Sequence, residues 1–313
     1  MDRKSDEELI QDFLKDCQLR GMSRHSIQGY KSSLNLFKGF LQGENISLLD
    51  VDRHLLKKYL KKIKDDDNVS YKTMQNRFSA FISFYDYIIY EDYLEHNIIR
   101  DFRKRYLARY KDNNGEERKL ISVEEMARFI NMILDIRAKT LVTLFAKTGI
   151  RRRELVSLDV DDIDMENMSI TLKPTNKRSN LIVYFDYETA VLLRNWLERR
   201  KHIAKKNNKA LFVSYTNHDK RLNRNTVGVE FTKWATLAGL HDPKSNKLKD
   251  KFTPHNCRHW YSSHLRRGGM SREYIKELRG DEMNHDALDT YLHIDHEDLR
   301  KSYLIHIPKL GII

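Results

Sequence analysis

Residues 253–264 read TPHNCRHWYSSH and place three histidines and one arginine on a predicted helix. His255 and His259 are four residues apart, which is the spacing of paired zinc ligands on a helix. Asn256 follows His255, however, so the glutamate that acts as general base in the HExxH metalloproteases is missing. His255 and Arg258 are three residues apart and therefore share one face. That pair suits a phosphate better than a metal, because arginine offers a planar, bidentate donor.

The composition bounds the class of protein. The 313 residues suffice for two domains, and only 4 prolines and 12 glycines favour helices over a turn-rich β fold. A net charge of +12 indicates a polyanionic partner, usually nucleic acid, because lysines and arginines on phosphates release counterions. Two cysteines, no signal peptide and no apolar run of roughly 18 residues predict a cytoplasmic protein without a membrane partner.

The first hundred residues repeat amphipathic helices separated by polar turns. Ser5 and Glu8 form a capping box at the start of the first helix, and three more helical patterns follow. We therefore predict a helical bundle over residues 1–105. The basic stretch 100–119, RDFRKRYLARYKDNNGEERK, lacks this periodicity, and we interpret residues 106–119 as an interdomain linker.

A second domain is predicted over residues 120–313. It opens with another capping box, Ser122 and Glu125, and most of its segments have helical periodicity. The β signal lies in 168–173 (MSITLK) and 181–185 (LIVYF), two β-branched and aromatic runs joined by a short basic loop. The sequence therefore predicts a mostly α fold with a small antiparallel β-sheet.

Three other segments carry candidate chemistry. In TGIRRREL, residues 148–155, arginines at a helix start lie beside Glu154, whose carboxylate can orient a guanidinium. Lys173 and Lys177 lie in the hairpin loop, from which a lysine can reach a phosphodiester at the edge of the sheet. Tyr291, in DTYLHID, follows a polar turn and need not be buried in the core.

Taken in order, these four segments resemble the motifs of the tyrosine recombinase family, the integrases and Xer-type enzymes. TGIRRREL resembles the family's TGLRxxEL box, TPHNCRHWYSSHL is similar to TPHxLRHxxATxL, and TYLHI resembles the terminal YxH element. The resemblance implies that Arg151 is the first catalytic arginine, with Glu154 supporting it. It implies further that His255 and Arg258 form the second catalytic pair and that Tyr291 is the nucleophile.

The family also places a catalytic lysine in the β-hairpin loop. We assign Lys177 as this catalytic lysine from its spacing along the sequence to LIVYF, with Lys173 as the alternative. The chain departs from the family before the tyrosine, where LRGDEMNH replaces the usual LGH. Gly280 matches, but Asp281 stands where the family has histidine. Either Asp281 takes over that proton or hydrogen bond, or His285 does so from the turn.

The resemblance implies an N-terminal helical core-binding domain of the SAM-like type and a C-terminal catalytic domain. It implies a site-specific recombinase that cleaves and rejoins DNA through a covalent 3′-phosphotyrosine intermediate, without metal, other cofactor or ATP. Its partner would be double-stranded DNA with specific recombination sites, bound by a tetramer on two sites. Two alternatives stay open, a type IB topoisomerase-like nicking and closing enzyme and a DNA-binding protein derived from a decayed integrase. The apolar end of the chain, DLRKSYLIHIPKLGII, packs either on its own domain or on a neighbouring protomer.

Overall fold

The structure, a computed structural model, describes residues 4–107, 119–175, 178–281 and 294–313. The chain divides into two compact units, Met1–Asn114 and Gly115–Ile313. Within the described ranges the fold is mostly helical with a three-stranded antiparallel sheet, which confirms the predicted fold class. None of the described helices is both long and apolar enough to cross a membrane.

The first unit is an all-helical bundle. Its helices are α1 (Asp6–Leu19), α2 (Arg24–Gly43), α3 (Arg53–Lys61), which continues into a π-helical turn, α4 (Tyr71–Tyr90) and α5 (Ile98–Tyr106). The predicted capping box is present at α1, where Ser5 Oγ accepts from the Glu8 amide and the Glu8 carboxylate accepts from the Ser5 amide. Aromatic rings fill the core, as in the stacked pair Phe37 and Phe81, whose ring centroids are 4.6 Å apart.

Helix α5 was not predicted from the sequence, because it covers the beginning of the basic stretch 100–119, which lacks helical periodicity. Ile99 and Phe102 are buried in the core of the first unit, and the Phe102 ring stacks on Phe78 with centroids 5.6 Å apart. Two apolar anchors are enough to hold a short helix against a preformed core, although charged residues dominate its sequence. Residues 108–118 of the predicted linker lie outside the described residues.

The second unit combines helices with the small sheet. The helices are α6 (Val123–Asn131), α7 (Ile136–Thr148), α8 (Arg152–Ser157), α9 (Tyr187–Lys201), α10 (Arg224–Leu237), α11 (Pro254–Arg267), α12 (Arg272–Arg279) and α13 (His296–His306). The strands are β1 (Ile163–Asp164), β2 (Ser169–Thr171) and β3 (Ile182–Tyr184), in the order β1-β2-β3. Ile170 pairs with Val183, so β2 and β3 form the predicted hairpin, whereas the two-residue β1 is too short to predict from a sequence pattern.

The end of the chain packs on its own unit. Leu310 and Ile312 are buried in the main hydrophobic core, and the Tyr303 hydroxyl donates to the carbonyl of Lys147 at 2.8 Å. The Leu310 amide donates to the Glu188 carboxylate at 3.0 Å. Of the two placements open from the sequence, the structure of the single chain therefore shows packing against its own domain.

The Lys147 side chain anchors this segment from inside helix α7. It is fully buried, pairs with Asp186, and lies 2.6 Å from Glu188 and 2.7 Å from the carbonyl of Pro308. One ammonium thus compensates two largely buried carboxylates and one carbonyl. A buried charge of this kind is tolerated because all its partners are present at once.

We expect Lys147→Met to lower the free energy of unfolding of the second unit by about 3–5 kcal/mol, because Asp186 and Glu188 then lose their cation in the interior. All three tryptophans lie in this unit, so urea unfolding followed by tryptophan fluorescence reports on it alone. Lys139→Met, at a half-buried position of the same helix, is the control and should change stability by less than about 1 kcal/mol. Equal effects of the two changes would contradict this role for Lys147.

Candidate active site

The first arginine of the site is positioned by the junction of α7 and α8. Gly149 ends α7 with φ +61°, and a Cβ there would lie 2.5 Å from a ring carbon of Tyr261, so glycine is required. Arg151 then caps α8, where Glu154 accepts from its backbone amide at 2.6 Å and from its Nη1 at 2.9 Å. Glu154 is 3% exposed. Its buried carboxylate therefore holds both the backbone and the side chain of Arg151.

The second arginine lies on α11. Thr253 and Asn256 cap this helix reciprocally and Pro254 occupies its first turn. The buried Arg258 guanidinium donates to the carbonyl of Gly149 at 2.8 Å through Nη1 and to Asp281 Oδ1 at 2.8 Å through Nη2. This geometry joins α11 to the end of α7 and to the residue that follows α12.

Asp281 brings the two predicted arginines together. Its Oδ1 accepts from Arg258 and lies 3.3 Å from Arg151 Nη2. Burial, together with the nearby charges of Arg151 and Arg279, lowers the pKa of Arg258 to about 10. Arg258 still carries its positive charge at neutral pH. The site is thus a cluster of cations around one carboxylate, and an anion of phosphate type is what such a cluster attracts.

His255 lies on the first turn of α11, one turn before Arg258, and is exposed. It lines a surface groove with Arg152, Thr253 and side chains of α10, and its ring meets that of His259 edge-on at 5.2 Å. In the described ranges no group of three or more His, Cys, Asp or Glu residues could hold a metal ion.

The two lysine candidates differ in what the structure describes of them. Lys173 lies 2.7 Å from Asp162 and 3.2 Å from Asp159, and the hydrogen bonds that it donates to these carboxylates raise its pKa. A raised pKa makes an ammonium a weaker acid, so Lys173 must leave both carboxylates to protonate a leaving group effectively. Lys177, like Tyr291 and His285, lies outside the described residues.

Arg178 joins the site although nothing in the sequence marked it. Its side chain is fully buried; Nη2 donates to the carbonyl of Leu278 at 2.6 Å, and Nη1 lies 3.3 Å from Glu154. The basic hairpin loop thus includes an arginine that ties the sheet to α8 and α12. Hairpin arginines are ordinarily solvated, and this partner set is spread over more than a hundred residues, so no local pattern indicates it.

Comparison with known proteins shows which family this chain is similar to. Residues 119–298 match the phage integrase family, and residues 10–92 match the N-terminal SAM-like domain of phage integrases. The first match alone covers more than half of the chain. The chain belongs to the phage integrase family. This tyrosine recombinase is 26% identical to tyrosine recombinase XerC of Psychromonas ingrahamii, over 91% of this chain and 90% of that protein.

A second relative supports this family, and two solved structures share the fold. Identity is 25% with tyrosine recombinase XerC of Staphylococcus aureus, over 93% of both chains. The fold is shared with the Tn1549 transposon integrase in complex with transposon right end DNA (TM-score 0.70, 19% identity, 94% of this chain and 97% of that chain). It is also shared with a lambda integrase tetramer bound to a Holliday junction (TM-score 0.68, 15% identity, 92% and 77%). The protein is a tyrosine-type site-specific recombinase.

We expect Gly280→Ala to destabilise the second unit more than Gly239→Ala. Both glycines have positive φ, +58° and +69°, so each substitution carries a backbone cost of about 1–2 kcal/mol. Only at Gly280 would the new Cβ meet another group, Cγ of the buried Arg178 at 2.3 Å, whereas Gly239 has open space. The overlap should add about 1–3 kcal/mol, measured by urea unfolding with tryptophan fluorescence. Equal losses would show that Arg178 is not held where the structure places it.

Proposed function

We propose that this recombinase cleaves and rejoins DNA strands through a covalent 3′-phosphotyrosine intermediate formed by Tyr291, without metal or ATP. The observation that carries the proposal is the convergence of Arg151 and Arg258 on Asp281, three residues that are far apart in the sequence. The match of residues 119–298 to the phage integrase family supports the chemistry assigned to this cluster.

The cluster suits the transition state of phosphoryl transfer. Attack on a phosphodiester builds negative charge on the two non-bridging oxygens, and guanidinium donors aimed at those oxygens stabilise the transition state more than the ground state. Each such donor contributes on the order of 3 kcal/mol. We assign this role to Arg151 and Arg258, with His255 as a further donor from the first turn of α11.

The reaction balances without an external reagent. The Tyr291 oxygen bonds to phosphorus, its phenolic proton passes to the acceptor that stands for the family's histidine, Asp281 or His285, and the bond from phosphorus to the 5′ oxygen breaks. The leaving oxygen takes a proton from Lys177 or Lys173, and the nearby cations favour the phenolate, whose ordinary pKa is about 10. The phosphotyrosyl bond conserves the energy of the phosphodiester, so a 5′ hydroxyl of another strand can reverse the step without ATP.

Asp281 takes the position of the family's usual histidine with a different chemistry. A carboxylate among guanidiniums holds them by hydrogen-bonded ion pairs, which a neutral imidazole cannot form. We assign Asp281 the role of orienting Arg151 and Arg258 and of accepting the proton or hydrogen bond otherwise taken by histidine.

DNA binding uses both predicted domains in this proposal. Residues 1–105 serve as the clamping domain, 106–119 as the basic linker and 120–313 as the catalytic domain, and four such chains act on two DNA sites. A basic depression in the first unit supports this assignment. It is lined by α3 and α5 residues, among them Arg53, Lys57, Lys104, Arg105 and Tyr106. Phosphate contacts from such side chains supply most of the affinity for DNA.

The test is a covalent trap. Duplexes selected for binding from a random-sequence pool by Tyr291→Phe protein are rebuilt with a nick beside each candidate cleavage position, so that the released fragment diffuses away. We expect the unmodified protein to form a covalent adduct that is stable in detergent, and Tyr291→Phe to bind the same duplex without an adduct. EDTA should leave the adduct yield unchanged, and a yield that zinc restores after EDTA would overturn the assignment of His255.

The same assay separates the two alternatives. No adduct on any duplex that the protein binds would support a DNA-binding protein derived from a decayed integrase. An adduct with relaxation of supercoiled DNA, but without recombinant product, would support a nicking and closing enzyme of the topoisomerase IB type. The proposal requires both an adduct and strand exchange between two sites.

Single substitutions identify the acid that protonates the leaving group. We expect either Lys177→Ala or Lys173→Ala, but not both, to slow single-turnover cleavage by about a hundredfold or more. A substrate with a 5′-bridging sulfur at the scissile position should restore the rate of that variant alone, because a thiolate leaves without a proton. If neither rate responds to the sulfur, the acid is not one of these lysines.

A further inference from the structure

A third guanidinium, that of Arg279, contacts the carboxylate of Asp281. The Nε atom of Arg279, the last residue of α12, is 2.7 Å from Asp281 Oδ2, and its Nη1 donates to Ser262 Oγ at 3.3 Å. The other carboxylate oxygen of Asp281 serves Arg258 and Arg151. The three arginines therefore share one carboxylate.

Counted over the described part of the chain, the charges in this cluster do not balance. Four guanidiniums, those of Arg151, Arg178, Arg258 and Arg279, face two carboxylates, Glu154 and Asp281. Arg178 and one side of Arg151 are committed to the buried Glu154. Among the residues that the structure describes, Asp281 alone then faces the cations nearest the surface, which leaves an excess of positive charge there. An anion with several acceptor oxygens completes such a cluster.

The backbone fixes where the Arg279 side chain begins. Its carbonyl accepts from Arg258 Nη2 at 2.9 Å and from Arg178 Nη1 at 3.1 Å, so two buried arginines hold this residue. Gly280 then turns the chain with φ +58° and returns Asp281 toward the guanidinium of Arg279. The backbone of Arg279 is therefore held in place by two other arginines of the cluster.

The side chain of Arg279 has the exposure that a substrate contact needs. It is 33% exposed, the same fraction as Arg151, whereas Arg178 is fully buried. Its contacts with described residues use Nε and Nη1, and a guanidinium carries five N–H donors. Donors of the same planar group are thus left for an incoming acceptor.

We propose that Arg279 is a third phosphate-binding arginine of this recombinase, which donates to a non-bridging oxygen of the scissile phosphodiester while Asp281 holds it beside Arg151 and Arg258. The inference rests on the proposed function. It adds a residue that lies outside the motifs by which the site was predicted. Asp281 then positions three cations at once.

The test compares two substrates that differ in charge at the scissile phosphorus. One is the nicked duplex selected above, and the other carries a methylphosphonate there, which replaces a charged non-bridging oxygen by a neutral methyl group. We expect Arg279→Gln to slow single-turnover adduct formation by about a hundredfold on the phosphodiester and by less than about tenfold on the methylphosphonate. A cation that offsets phosphate charge matters less once that charge is removed.

A purely structural role of Arg279 predicts equal losses on the two substrates. If Arg279→Gln slows both substrates by the same factor, Arg279 does not act on the phosphate and the inference is wrong. Both substrates are assayed with one preparation, so a reduced folded fraction cancels in their ratio. Arg279→Lys, which keeps the charge without the planar fork, should lie between the unmodified protein and Arg279→Gln on the phosphodiester.

Matched controls separate this inference from the proposed function. Arg272→Gln changes an exposed arginine of the same helix and should leave the substrate ratio at its unmodified value. Arg258→Gln should show the same charge-dependent loss as Arg279→Gln. If the unmodified protein forms no adduct, the proposed function fails; if it does, and only Arg258→Gln depends on substrate charge, Arg279 alone is misassigned.

Discussion

The packing around the site depends on two carboxylates, Glu154 and Asp281. Each of them contacts several guanidiniums. Glu154 is buried and takes hydrogen bonds from Arg151 and contact from Arg178, while Asp281 gathers Arg151, Arg258 and Arg279. Glu154, Arg178 and Arg258 are buried, and a buried charge that loses its partner costs several kcal/mol, so these three contribute to stability only with their partners in place. The helices α8, α11 and α12 and the β2–β3 hairpin are placed relative to each other by this requirement.

The same arrangement explains how stability and chemistry coexist. Arg178 is fully buried and donates to Glu154 and to backbone carbonyls at the end of α12. Arg151 and Arg279, each one-third exposed, keep part of their guanidinium at the surface. The buried arginine thus supports the exposed ones, which are held in one orientation before any substrate arrives. In the proposed function, preorganised donors of this kind stabilise the transition state effectively because they need no rearrangement.

Features that depend on neighbouring residues were predicted correctly from the sequence, whereas features that depend on distant residues were missed. The capping boxes at Ser5 and Ser122 are present, and the hairpin of β2 and β3 forms as its β-branched runs predict. Helix α5 was missed because only Ile99 and Phe102 mark its buried face among many charges. The contacts of Arg178 and Arg279 were missed because their partners come from distant segments. Tyr291 and Lys177 stay predictions, since they lie outside the described residues.

The sequence by itself determined the mostly helical fold, because capping and periodicity act over a few residues. Its motifs also indicated the family and which arginines, Arg151 and Arg258, belong to the site. Only the tertiary structure decided which side chains share a carboxylate, that Lys147 anchors the end of the chain within its own unit, and that Asp281 serves three arginines. Charge pairing depends on distance in space. Residues 130 positions apart become neighbours only when helices and sheet have packed.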